Sequence, residues 1–240
     1  MTVKILGVCG SPRVDSNSER CTVEALNAAC TIGDVETELI TLANLQIKHC
    51  NGCYRCRSEA TRKYPCPEFD DGMTALYPKM SSADGFIFTS PVYYADVTSL
   101  MKAFFDRLVP FNTGFYNPDG EAEFKETLRF KPAGAISVGA GRNDGIEAVI
   151  YSLHRCFLYH DMIAVGSQYV RHKDIPSDIG FISGLGGAFY THQQPNVVER
   201  DKGGLGTVRI LGKKIAVMTK VLKTVRAELQ NQYAIFEERR

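Results

Sequence analysis

The sequence has no excess of charge of either sign: 28 lysines and arginines stand against 27 aspartates and glutamates, a formal net charge of +1. That balance removes any bulk attraction to nucleic acid or to an anionic membrane surface. Also missing is an apolar run near the roughly 20 residues that a membrane span needs. The opening MTVKILGVCG meets a turn after a short apolar run, so it lacks the hydrophobic stretch and cleavage site of a secretory leader. No internal repeat is visible. These absences lead to a cytoplasmic chain with neither nucleic acid nor membrane as a partner. In that compartment thiols stay reduced, and clustered cysteines more often bind metal or do chemistry than form disulfides.

What is present suffices for one substantial core. Of 240 residues 44% are hydrophobic, within the range of a single α/β domain over 1–240. Continuous apolar runs ending in turns read as strands buried on both faces: VKILGVCG at 3–10, DGFIFTSP at 84–91, KPAGAISVGAG at 131–141 and MIAVGSQYV at 162–170. VETELITL at 35–42 alternates and reads as a strand nearer an edge. Between them lie helical segments: SNSERCTVEALNAACTIG with Glu19 in its first turn and Gly33 at its end, DDGMTALYPKMSSA at 70–83, TSLMKAFFDRLVPF with Leu100, Met101, Phe104, Phe105 and Leu108 on one face, and DGIEAVIYSLHRCFLYH. Five strands alternating with helices specify a doubly wound parallel sheet, whose ligands collect in the crevice at the carboxyl ends of the strands. Residues 171–206 are glycine-rich without a clear period and read as a long loop or arm, a lid over a ligand or a clasp on a neighbouring subunit. From Thr207 onward the chain reads as a long closing helix.

Three loops fall at the carboxyl edge. GSPRVDSNSE at 10–19 joins the first strand to the first helix, where unpaired N–H groups and the helix dipole favour an anion. Ser11, Ser16 and Ser18 supply hydroxyls there, Asn17 an amide and Arg13 a fixed positive charge. Neither G-x-G-x-x-G nor G-K-[ST] is present, so a monophosphate cradle fits better than a dinucleotide or nucleotide loop; an ordinary helix cap beside an exposed arginine accounts for the same residues. TSPVYYADVTSL follows the third buried strand, with a proline to fix a turn and two tyrosines that offer flat faces to a planar ring or simply pack at the surface. VGAGRNDG, with Arg142, follows the fourth strand, where glycines allow close backbone approach or a tight turn.

The segment KHCNGCYRCRSEATRKYPCPEFDD holds Cys50, Cys53, Cys56 and Cys66, spaced C-x2-C-x2-C-x9-C and followed by proline. Three thiols three residues apart can each meet one corner of a cubane, and the following proline matches the bacterial ferredoxin run. Zinc sites present two separated C-x2-C pairs, so the triple spacing argues for iron and sulfide over zinc. Unliganded thiols in a polar loop are the remaining alternative. His49 reads as a surface neighbour, and Cys9, Cys21, Cys30 and Cys156 read as small buried hydrophobes.

GSPR followed by SNS, and above all SPVYY…LMKAFFDR, resemble the flavodoxin-like, NAD(P)H-dependent FMN reductase superfamily over most of 3–170, with a return near GGLGTVRILGKKIA. The resemblance implies that Ser11, Arg13, Ser16, Asn17 and Ser18 hold the FMN phosphate. Pro91, Val92, Tyr93 and Tyr94 would line the isoalloxazine, with Gly139, Ala140 and Gly141 on its other side. With the cysteine loop at 48–70, the chain resembles the iron-sulfur flavoproteins, which implies a 4Fe-4S cluster on Cys50, Cys53, Cys56 and Cys66. The nine-residue gap before Cys66 is longer than that family's usual one. The resemblance also implies a homodimer or homotetramer in which one subunit's cluster lies near another's flavin. Electrons would pass from ferredoxin or NAD(P)H to a small-molecule acceptor such as a quinone or oxygen species, with no catalytic side chain required. The rivals are a cluster-free NAD(P)H-dependent FMN or quinone reductase, a flavodoxin-type carrier, and a regulatory zinc protein on the same fold.

Overall fold

A computed structural model describes residues 1–57, 66–111, 128–140, 145–167, 187–190 and 197–237. The order of elements is β1 (Val3–Cys9), α1 (Asn17–Cys30), β2 (Val35–Thr41), α2 (Gly72–Ser82), β3 (Gly85–Pro91), α3 (Ser99–Asp106), β4 (Pro132–Gly139), α4 (Ile146–Tyr159), β5 (Ile163–Ala164), β6 (Gly187–Tyr190) and α5 (Lys202–Glu237). All strand pairs are parallel, in the order β2-β1-β3-β4-β5. Because β1 lies between β2 and β3 and the chain reverses direction across the sheet after β2, the loops leaving β1 and β3 sit side by side at the carboxyl edge.

Alternation along the strands divides the core. Leu6 and Val8 of β1, with Phe86 and Phe88 of β3, face a layer formed with α2, α3 and α4; Ile5 and Ile87 face a layer formed with α1 and α5. Phe88 is the hub of the first layer, with ring contacts to Phe86, Phe104, Phe105 and Phe157. In the second layer a side chain at Gly212 of α5 would lie 2.0 Å from the Ala25 carbonyl oxygen of α1. The absence of a Cβ there lets the two helices touch backbone to backbone.

The structure differs from the sequence reading at the far edge of the sheet. Of the expected fifth strand at 162–170, only Ile163–Ala164 is strand among the described residues, 168–170 lying outside them, and a further strand, β6, emerges from the 171–206 segment. β6 pairs in parallel with β4, Ile136 opposite Gly187 through Gly139 opposite Tyr190. Over Ile136–Val138 the other edge of β4 is taken by Thr89–Pro91 of β3, so β5 and β6 occupy successive halves of one sheet position. The closing helix begins at Lys202, five residues before the expected start. The remainder of the 171–206 arm lies outside the described residues at 171–186 and 191–196. Among the described residues no helix is long and apolar enough to cross a membrane.

Candidate cofactor site

The β1–α1 loop is organised around its serines. Ser16 caps α1, its side chain accepting from Glu19 N at 3.2 Å, while Glu19 reaches back to accept from Asp15 N. Ser11 Oγ accepts from Arg13 N and donates to Arg13 O, both at 3.1 Å, which folds the loop tightly over the strand end. Ser11, Ser16 and Ser18 are buried, whereas Arg13 is exposed. The first N–H groups of α1 have no carbonyl four residues back, and with the Arg13 charge they suit a phosphate.

The β3–α3 loop is bound to this cradle by its own backbone. Gly10 N donates to Thr89 O at 2.8 Å, and Thr98 Oγ1 donates to Gly10 O at 2.6 Å. The same Thr98 hydroxyl caps α3 by accepting from Met101 N. Val92 N donates to Val138 O, which brings the end of β4, with Gly139 and Ala140, beside the loop. Tyr93 and Asp96 exchange two backbone hydrogen bonds around Tyr94 and Ala95, whose φ values of 49° and 63° lie in the left-handed region. Two consecutive non-glycine residues held there cost of order 1–3 kcal/mol each, a local strain of the kind that collects at binding sites. The turn leaves Tyr93 43% exposed and projects Tyr94 fully into solvent, so both rings are presented and neither is packed in the core. Gly145, the cap of α4 at φ 95°, abuts the turn; a Cβ on it would lie 2.6 Å from Ala95 Cα. Gly141, expected beside the ring, and Arg142 lie outside the described residues.

The cysteine segment is closed at its base by residues that the sequence reading passed over. Arg107 donates to both carboxylate oxygens of Asp71, at 2.7 and 3.2 Å, and to Lys48 O at 2.9 Å. Both side chains are nearly buried, at 2% and 3% exposure. Lys48 N donates to Asp71 Oδ2, so one ion pair holds both ends of 48–71. Burial opposes ionisation of Asp71, but the Arg107 guanidinium and the N–H groups of Lys48 and Met73 outweigh it and hold the carboxyl below its ordinary value. Asp71 also caps α2 in a capping box with Thr74. Higher in the segment, Glu68 accepts from Asn51 and Arg55, drawing the chain just past Cys66 back against the stretch that carries the first three cysteines. This crosslink answers the long gap before Cys66: the segment closes on itself although residues 58–65 lie outside the described set.

All four thiols are free of disulfides; Cys50 and Cys53 are exposed, and Cys56 and Cys66 are partly so. Among the described residues no three Cys, His, Asp or Glu side chains converge on one metal ion. A cubane spreads its thiolates over separate corners, so four thiols outside any disulfide on one closed loop suit a cluster better than a single zinc ion.

A cleft of about 700 Å³ joins this segment to the rest of the site. Cys50 and Cys56 line one wall, Asp96 and Lys102 the side toward the β3–α3 loop, and Cys156 and His160 the α4 wall. Of the cysteines read as buried hydrophobes, Cys30 is instead exposed, with Sγ 3.4 Å from Thr37 Oγ1, while Cys156 packs half-buried against the core at the edge of the cleft. Cys9 and Cys21 are buried as expected. Burial pushes the Cys156 thiol up to about 12 and the His160 imidazole down to about 4, so both are neutral near pH 7.

The family model described as NADPH-dependent FMN reductase matches residues 3–175. An iron-sulfur flavoprotein of Methanocaldococcus jannaschii is 38% identical over 221 residues, covering 92% of this chain and 100% of its own. One of Methanosarcina thermophila is 31% identical, over 92% of this chain and 97% of its own. Among solved structures, RosB with bound 8-demethyl-8-formylriboflavin-5'-phosphate superposes with a TM-score of 0.63 at 16% identity, over 98% of this chain and 88% of that one. An NAD(P)H:quinone oxidoreductase from Methanothermobacter marburgensis gives 0.58 at 14% identity, over 90% and 98%. At such identities these two likenesses concern the fold.

Proposed function

The chain belongs to the NADPH-dependent FMN reductase family, and on that basis we propose that it is an FMN-dependent oxidoreductase carrying a 4Fe-4S cluster, built as one domain over 1–240. Ser11, Arg13, Ser16, Asn17 and Ser18 bind the phosphate. Pro91, Val92, Tyr93 and Tyr94 take one side of the ring and Gly139, Ala140 and Gly141 the other. Cys50, Cys53, Cys56 and Cys66 ligate the cluster. The observation that carries the reading is the hydrogen bonding of Gly10 to both Thr89 and Thr98, which fixes the phosphate-side and ring-side loops as one unit.

Bound flavin supplies a centre that accepts a hydride or single electrons, and a cluster supplies one-electron transfer. The protein's own part is positional. The α1 N-terminus and Arg13 anchor the anion, the strained Tyr94–Ala95 turn sets the ring-side backbone, and the Asp71–Arg107 pair fixes the cluster-bearing loop against α3. The donor is NAD(P)H or ferredoxin and the acceptor a small molecule. The protein acts in the cytoplasm as a homodimer or homotetramer. Anaerobic stopped-flow mixing of the oxidised protein with NADH, NADPH or reduced ferredoxin tests this. Bleaching of the flavin band by at least one donor within seconds is expected; no reduction by any of them removes the oxidoreductase reading.

A further inference from the structure

The outer face of α5 carries a pattern that none of these roles uses. Val217, Val221 and Val225 are 46%, 53% and 40% exposed, one above the next at i, i+4 and i+8. A lone exposed valine is ordinary, but three in line form an apolar stripe. Valine is also a poorer helix former than the lysine, glutamate or glutamine that usually fills such positions. Lys214 and Glu228, both exposed, stand at the two ends of the stripe. At about 100° per residue the five positions fall within an arc of about 80°, over a length of about 21 Å.

The stripe reads the same from either end. Its successive spacings are three, four, four and three residues, symmetric about Val221. A second α5 laid antiparallel across a two-fold axis at Val221 sets that valine against its own copy, Val217 against Val225 and Lys214 against Glu228. A parallel arrangement would instead oppose lysine to lysine and glutamate to glutamate. The other cations around the stripe find carboxylates within the chain: Arg209 pairs with Glu24, Lys220 with Asp34, and Lys223 and Arg226 with Asp84. Among the described residues Lys214 and Glu228 meet only neutral groups, the Gly166 carbonyl and the Gln232 amide. Each keeps its charge to offer a neighbour.

We propose that α5 forms a two-fold contact of the oligomer: a second copy of this chain covers the stripe with its own, antiparallel and centred on Val221. The inference rests on the homo-oligomer reading above and names the surface that makes it. Lysines beside an apolar stripe also suit an anionic membrane. Here, however, Glu228 closes the stripe, and Lys220 and Lys223 are turned back to Asp34 and Asp84. The contact lies away from the cofactor loops. Lys223 pairs with Asp84 just before β3, and a side chain at Gly85 would meet Thr219 of α5, so this part of the helix runs past the amino ends of the strands.

The test is sedimentation velocity of the full-length, anaerobically prepared protein over a range of concentrations, with FMN counted on each sample. The parent is expected to sediment as a dimer or tetramer. Val221→Lys, which sets like charges together on the axis, is expected to halve the particle mass or raise the dissociation concentration about tenfold or more, with FMN content unchanged. Lys214→Glu and Glu228→Lys should each weaken the contact, and the double variant carrying both, which restores opposite charges across the axis, should return toward the parent. Parent mass retained in Val221→Lys overturns the proposal, as does a double variant no better associated than the two singles. A parent that is monomeric at every concentration overturns the oligomer reading itself, which is a separate result. If that monomer floats with phosphatidylserine vesicles and Val221→Lys does not, the stripe is a membrane contact and the proposal falls with it.

Discussion

Arg107 at the end of α3 holds Asp71 at the start of α2 through two parallel hydrogen bonds of 2.7 and 3.2 Å, both side chains almost wholly out of solvent. Through Lys48, whose N–H and carbonyl bind the same pair, this contact fixes where the cysteine loop begins and where it runs into α2.

Removing Arg107 leaves the buried Asp71 carboxylate without its counter-charge, with only the Lys48 and Met73 N–H groups as partners. Arg107→Met is expected to destabilise the protein by about 3–5 kcal/mol and to lower iron per chain while FMN is retained. Thermal unfolding and cofactor analysis on one preparation check both parts; full iron in a well-folded variant would show that the pair does not support the cluster loop.

Cys53 is exposed, and its backbone N–H is fixed by Asn51. Cys53→Ser is expected to abolish the cluster absorbance and leave FMN stoichiometric, because the phosphate-side and ring-side loops are held to each other through Gly10 and not through Cys53. Simultaneous loss of flavin would mean that the two sites fold as one.

At the phosphate end, Arg13→Ala is expected to weaken FMN binding by about tenfold, the scale of one charge-assisted hydrogen bond. Thr98→Val removes the donor to Gly10 O and the cap on α3 together, and should cost about 1–3 kcal/mol of stability as well as affinity. Fluorescence titration of apoprotein with FMN separates the two variants: only the second should also lower the melting temperature.

Acid should unfold the protein through two carboxylates. Asp71 is held low as described, and Glu38 is held low by hydrogen bonds from Lys4 and Lys79. A depressed folded value means that the stability contribution is complete above the ordinary carboxylate range and is lost as pH falls through the folded values. Urea midpoints should therefore fall steadily below about pH 4, and less steeply in Asp71→Asn, which retains a capping side chain. Equal slopes in the two proteins would remove Asp71 from the account.

The core strands were legible because burial on both faces leaves uninterrupted apolar runs such as DGFIFTSP. The cap among the serines at the head of α1 was legible because its side chain bonds locally, within three residues; the like cap at Thr98 was not picked out. Long-range relations left no such trace. Asp71 and Arg107 are 36 residues apart, and neither sits in a pattern that announces a partner. β6 was hidden in a glycine-rich stretch because its four residues are stabilised by β4 rather than by their own propensity. The early start of α5 was masked by Gly203, Gly204 and Gly206, poor helix formers placed in a helix packed on α1.

The most direct test of the account is cofactor analysis of protein purified without oxygen, with flavin, iron, acid-labile sulfide and zinc determined on the same sample. About one FMN with about four irons and four sulfides per chain is the predicted result. FMN without iron after attempted reconstitution, or zinc in its place, would contradict it.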